Sequence, residues 1–221
     1  MCKMRRSNDR ERHHQAWAAT KALDLLRLGV VLVDEGARLV LANGSARRIL
    51  GDDDGLRVRE RRLVAGSPND TRALHGYIRA ATNGDAGVGN DMSAMAVPRP
   101  SMRPPLSVVV TPIHHSRSSS HDDGSSAVVF VSEPDDAIDI QEPWLRQLYG
   151  FSRAEASVSV LFVQGKSPKQ MADELHVSVH TARAHLKQLL SKTGSARQQE
   201  LMRLLVTGPA GRILGSPLHS S

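Results

Sequence analysis

Hydrophobic positions change period along the chain, and the changes divide it into two kinds of element. From residue 16 to 28, Trp17, Leu25, Leu26 and Leu28 recur at helical spacing until Gly29 breaks the pattern. Gly29 to Asp34 is a β-branched run, Glu35-Gly36 reads as a hairpin turn, and Arg38 to Ala42 reads as a second strand. Asn43 and Gly44 end that strand, and Ser45 to Leu50 has the pattern of a short helix. Arg57 to Ala65 reads as strand, and Ser67-Pro68 with Asp70 caps a helix running to about Ala81. Polar breaks at Asn83–Asp91 and His114–Ser126 then separate strands at Met92–Val97, Leu106–Thr111 and Ala127–Ser132. About five strands in antiparallel hairpin order, with helices beside them, predict an α+β domain over residues 16–134.

Beyond Ser132 the pattern turns helical. Glu133 to Pro143 is acidic and carries two prolines, which marks a linker at 135–147. Trp144, Leu145, Leu148, Tyr149 and Phe151 follow it as an apolar staple onto the next helix. Ser152 with Glu155 forms a capping box, and Ser167 before Pro168 opens a second helix. Ser178 opens a third only three residues after Leu175. So short a bridge makes the two helices cross steeply. In the third helix, Val179 to about Thr193, His180, Arg183, Ala184, Lys187 and Ser191 fall within an arc of roughly 100°. Ala182, Leu186, Leu189, Leu190 and Thr193 occupy the other side. A fourth helix, about Ala196 to Val206, lines up Leu201, Leu204 and Leu205, with Ser195 and Gln198 as a further capping box. The predicted whole is an all-α four-helix domain over 148–207. The linker precedes it and a Gly/Pro/Ser-rich disordered tail (208–221) follows, while a charged arm (1–15) precedes the α+β domain.

Charge follows the same division. Residues 143–221 hold ten Lys/Arg against four Asp/Glu, whereas residues 1–142 hold nineteen of each, so the whole formal excess of +6 lies in the helical part. A segregated excess attracts a polyanion through counterion release. An anionic membrane is the weaker match, because the basic helix has no Trp or Phe on its apolar face and needs that face for its core. An acidic protein partner is the alternative, with the helical domain acting as a non-enzymatic adaptor.

The residues from about Leu148 to Leu205 resemble the LuxR-type helix-turn-helix family of bacterial transcription factors. The resemblance is carried by Glu155, Gly165, Met171-Ala172, Thr181, His185, Lys187, Lys192 and Gly194. It implies that the third helix enters the major groove of double-stranded DNA, where Arg183, Ala184 and Lys187 face bases and nearby phosphates. His180 lies on the same face, and Thr181, Lys192, Lys169 and Ser178 are implied phosphate contacts. It also implies a homodimer, with Met202 or Leu205 at the contact, and a possible encounter with RNA polymerase. Three positions depart from the family pattern: His176 for glycine, Lys166 for leucine and Thr193 for leucine. A left-handed backbone at 176 is then required of a histidine, which tolerates it better than most residues.

In the first half, a second strand ending in Asn, followed at once by a small-residue helix, resembles the opening of PAS sensor domains. That implies a sensing or dimerising role over 16–134. No cofactor follows from the residues. A light-sensing flavin domain needs a cysteine beside the ring, and Cys2 lies outside the domain. His75 is available to a haem but reads more naturally as a capped surface histidine. His114, His115, His121, Asp122 and Asp123 sit in a serine-rich loop that fixes no metal geometry. Asp52, Asp53 and Asp54 read as a solvated turn, and no phosphate loop, nucleophile elbow or zinc-protease motif appears. Catalysis is not expected. No apolar run is long enough for a bilayer, and no signal-peptide core opens the chain, so a cytoplasmic location is expected.

Overall fold

A computed structural model describes residues 18–83, 92–113, 126–136, 138 and 140–213. The chain divides into two compact units whose boundary falls between Asp135 and Asp136. The metal-site candidates in the serine-rich loop, the arm 1–15 and the last eight residues lie outside the described residues.

The first unit opens with a helical segment at 18–24 (α1). It continues β1 (Gly29–Asp34), β2 (Leu39–Ala42), α2 (Gly44–Gly51), β3 (Leu56–Arg59), β4 (Arg62–Ala65), α3 (Pro68–Asn83), β5 (Ser93–Val97), β6 (Leu106–Pro112) and β7 (Ser126–Ser132). Five strands form one antiparallel sheet in the order β2-β1-β7-β6-β5, and β3 pairs with β4 in a separate hairpin. The period-2 alternation puts Val31 and Val33 of β1, Val108 and Val110 of β6, and Val129 and Val131 of β7 on the buried face. Leu74 and Ile78 of α3 and Leu56 and Leu63 of the hairpin close over them. The antiparallel sheet with flanking helices of a PAS-like domain is therefore present.

Asn43 is the junction of this unit. Its Oδ1 accepts from Val30 N at 2.8 Å and Ala46 N at 3.0 Å, while Nδ2 donates to Leu23 O and Leu28 O. One fully buried side chain thus caps α2 and ties it to β1 and to the end of α1, with every polar atom satisfied.

Three expectations for this half change. The first helix stops at 24 rather than 28, because the backbone oxygens of Leu23, Leu26 and Leu28 are taken by Asn43 and Ser45. The stretch 57–65 is a two-stranded hairpin, reversed at Glu60-Arg61 with both residues at positive φ (48° and 65°). No Gly or Asn marks that reversal, so residue chemistry hides it. The turn at Glu35-Gly36 stands where it is expected, with Ala37 just after it at positive φ (59°). Asp54 is not a solvated carboxylate. It receives Arg99 Nε at 2.7 Å and Ser101 N at 3.0 Å.

The Arg99 side chain is 1% exposed and also meets Glu133 at 2.9 Å and Asp135 at 3.1 Å. The Glu133 approach is a charge contact rather than a hydrogen bond. Burial alone would lower the Arg99 pKa, but the hydrogen bond to Asp54 and the neighbouring carboxylates raise it. Hydrogen bonds from Ser101, first its hydroxyl and then its backbone N–H, together with Arg99, hold the Asp54 carboxyl at about 2. Sequence reading missed this cluster entirely, since its members are scattered from 54 to 135.

The second unit comprises α4 (Glu142–Tyr149), α5 (Arg153–Val163), α6 (Pro168–Leu175), α7 (Val179–Thr193), α8 (Gln198–Thr207) and α9 (Pro209–Arg212). Its core gathers Leu145, Ala156, Val158, Phe162, Met171, Ala182, Leu186, Leu189, Leu201 and Leu205. The segment expected as linker therefore contains a helix. Pro143 sits in its first turn, Leu145 is fully buried, and Gly150 ends it at φ 66°. The tail likewise begins folded. Ala210 is buried, and a Cβ at Gly211 would lie 2.5 Å from Val206 O, so a bare backbone is what lets α9 fold back on α8.

Candidate nucleic-acid interface

The interface is built from local signals. Ser152 Oγ accepts from Glu155 N while Glu155 Oε2 accepts from Ser152 N, the reciprocal cap expected for α5. Ser167 makes a second such box with Gln170, a partner the sequence reading had not assigned. α6 ends at His176, which adopts φ 53°, ψ 43°, the left-handed conformation expected of a residue in a glycine position. Ser178 then caps α7, accepting from Thr181 N at 3.0 Å. Two well-defined ends separated by three residues restrict how far α7 can slide or turn against α6.

The two faces of α7 fall as the periodicity predicts. Ala182, Leu186 and Leu189 are buried, and His180, Arg183, Ala184, Lys187 and Ser191 are exposed. Arg183 and Lys187 stand one turn apart, and neither makes an ion pair with any described residue. Ala184 between them leaves the helix backbone open on that side. Thr181 is half-exposed, its hydroxyl 2.8 Å from Ser178 Oγ at the start of the helix. Lys169 is exposed in the first turn of α6. His180, Arg183, Ala184, Lys187, Thr181 and Ser178 thus share the solvent side and N-terminal end of one helix, with Lys169 on its neighbour.

Lys192 is different. Its Nζ lies 2.7 Å from Glu155 Oε2 and 2.9 Å from Gly150 O, so this lysine, 36% exposed, is paired within the second unit. Burial alone would raise the Glu155 carboxyl, but the Lys192 ammonium and the Ser152 donors bring it below its ordinary value.

Two further expectations are corrected here. Arg197, not Ser195, stands at the N-cap of α8, with no side-chain cap bond; Ser195 N closes the end of α7 by donating to Leu190 O. Leu205 is fully buried and is unavailable to a dimer contact, whereas Met202 remains half-exposed. In the first unit, His75, weighed above as a haem ligand, has Nε2 2.8 Å from Leu63 O, the capped histidine that its surroundings favour. Among the described residues no group of His, Cys, Asp or Glu is arranged to hold a metal, and no helix is long and apolar enough to cross a membrane.

With this geometry in place, the match of residues 150–205 to the bacterial regulatory proteins of the luxR family is decisive for the second unit. Residues 150–205 form a luxR-family DNA-binding domain. The match spans α5, α6, α7 and nearly all of α8, and leaves α4 and α9 outside it. Solved structures with a broad likeness to the whole chain include a VqmA–ligand–DNA complex from Vibrio cholerae. It aligns at 15% identity and TM-score 0.38, covering 86% of each chain. A phage VqmA–DPO complex aligns at 13% identity and TM-score 0.39, over 88% of this chain and 89% of that one. The PAS domain of Bordetella pertussis BvgS aligns at 13% identity and TM-score 0.37, over 62% of this chain and 96% of the other. No curated protein sequence matches the chain.

Proposed function

We propose that this chain is a homodimeric, sequence-specific transcriptional regulator of double-stranded DNA, acting in the cytoplasm, whose α7 enters the major groove. One observation carries the reading: the exposed face of the luxR-family third helix holds two cations that pair with no described residue, and a single methyl side chain beside them. Arg183 is the base reader, able to span two acceptors on a guanine edge, and Ala184 admits close approach or a thymine methyl. Lys187 and His180 lie beside it along the groove. Thr181, Ser178 and Lys169 meet phosphate at the N-terminal ends of α7 and α6, where free N–H groups also point. Lys192 contributes by fixing α7 rather than by touching DNA.

The PAS-like first unit, over 16–134, modulates this activity, and pairing of two chains sets the half-site spacing. Met202 is the residue of α8 that remains open to such pairing. RNA polymerase, where the regulator activates, would meet the domain on faces other than that of α7. The chemistry at the interface is binding and not catalysis.

The test is binding of the full chain to a duplex library across a salt series. Affinity should fall steeply with salt, and Arg183→Ala should relax preference at one base pair by about 1–3 kcal/mol. Sequence-blind binding that ignores salt would overturn the reading in favour of an adaptor.

A further inference from the structure

The first unit, residues 1–135, holds nineteen Lys/Arg against sixteen Asp/Glu, and its acids are unevenly spent. Asp24 pairs with Arg47 and Asp53 with Arg57, while Asp54, Glu133 and Asp135 surround Arg99 and Arg103. Left over are six arginines that meet no carboxylate among the described residues: Arg38, Arg59 and Arg61 and, close to one another, Arg62 of β4 and Arg72 and Arg79 of α3. Arg72 reaches nothing stronger than the neutral Asn69 side chain.

Arg62, Arg72, Arg79 and His75 line one open groove of about 390 Å³, bounded across from α3 by the β1–β2 turn. Glu35 is the single acid in its wall. Positions 72, 75 and 79 repeat at i, i+3 and i+7, which stacks them along one stripe of α3. Arg72 and Arg79 stand two turns apart, about 10 Å, with the His75 ring between them, so an anion in the groove can meet both guanidinium groups. The walls are already rigid. His75 is anchored on Leu63 O, Thr71 Oγ1 both accepts from Ala65 N and donates to Ala65 O, and the β3–β4 hairpin is locked to the β1–β2 turn by Leu39 N to Arg61 O and Leu63 N to Ala37 O.

We propose that this groove binds a small, multiply charged oxyanion, a phosphate ester or a polycarboxylate. Guanidinium forks bind such oxygens two at a time, and a concave site with low-dielectric walls concentrates the positive field that draws them in. The volume lies in the range of small-molecule sites. A duplex needs a projecting basic surface, which a recess does not offer. The proposal makes no use of the DNA-binding reading.

Isothermal titration of the full chain with sodium tripolyphosphate and, separately, with citrate tests it. The basic face of α7 also attracts polyanions, so the same titrations are run on Arg183→Ala/Lys187→Ala. Saturable binding of one probe per chain should persist in that variant and weaken at least tenfold in Arg72→Gln/Arg79→Gln. Both arginines are exposed and meet no described carboxylate, so the ligand-free unfolding midpoint should stay unchanged. Arg62→Gln, on a different element, should weaken binding as well. Whichever probe binds more tightly identifies phosphate or carboxylate as the preferred chemistry. Four results would overturn the proposal: no saturable binding of either probe, binding lost with Arg183 and Lys187, binding indifferent to Arg62, Arg72 and Arg79, or an effect of these three confined to the salt dependence of duplex binding.

Discussion

Lys192 Nζ lies 2.7 Å from Glu155 Oε2, joining the last turn of α7 to the cap of α5. The carboxylate side chain is 9% exposed and the lysine 36%, so the pair is only partly screened by water. Its place matters more than its strength. α7 is held at its first turn by Ser178 and at its last by Lys192, and the exposed face between the two anchors is the one that would meet DNA.

Lys192→Met leaves Glu155 charged without its partner. The expected cost is about 1–3 kcal/mol of domain stability, below that of a fully buried pair because Lys192 keeps some solvent. Urea unfolding of Lys192→Met, Glu155→Gln and the double variant gives the coupling. A stable Lys192→Met protein whose DNA affinity has a shallower salt slope would instead make Lys192 a phosphate contact.

Acid should weaken the second unit through the same pair. The Glu155 carboxyl lies below its ordinary value in the fold, so its contribution is fully present above the unfolded value, about 4.3, and fades as pH falls through the lower folded value. Asp54 acts likewise in the first unit, between an unfolded value of about 3.9 and a folded value of about 2. Unfolding midpoints measured from pH 6 to pH 2 should decline over these windows. Glu155→Gln should flatten the Glu155 part of the decline.

Arg183 and Lys169 should differ in kind. Arg183→Ala should cost about 1–3 kcal/mol at one base pair and less at other sequences. Lys169→Ala should weaken all sequences alike and reduce the salt slope by about 1. Competition binding with single-base variants of a selected site separates the two effects.

His176→Gly removes a left-handed non-glycine residue and should stabilise the domain by about 1 kcal/mol, read as a higher unfolding midpoint. An unchanged or lower midpoint would mean that the imidazole contributes more than the strain costs.

Arg99→Met should be the most damaging of these changes. It takes from the Glu133 side chain, 1% exposed, the nearer guanidinium at its Oε1, leaving Arg103 at 3.6 Å and Arg48 at Oε2, and strips Asp54 of its charged donor, at an expected cost of about 3 kcal/mol to the first unit. Thermal unfolding of the full chain should then show one transition moving down while that of the second unit stays.

Much of the chain declares its structure locally. The caps at Ser152, Ser167 and Ser178, and the division of α7 into buried Ala182, Leu186 and Leu189 against exposed Arg183 and Lys187, follow from helical period and neighbouring side chains. Alternation in β1, β6 and β7 likewise reveals which valines face inward. Tertiary structure alone decided the rest. It drew Lys192 onto a carboxylate 37 positions earlier, gathered Asp54, Arg99, Glu133 and Asp135 from distant segments, and buried Leu205 where a dimer surface was expected. It also recruited α4 and α9 into the helical core from stretches whose prolines and glycines read as linker and tail. Periodicity records what a residue does for its own helix or strand. A charge's partner depends on which distant segment folding brings alongside, and nothing in the neighbouring residues encodes that.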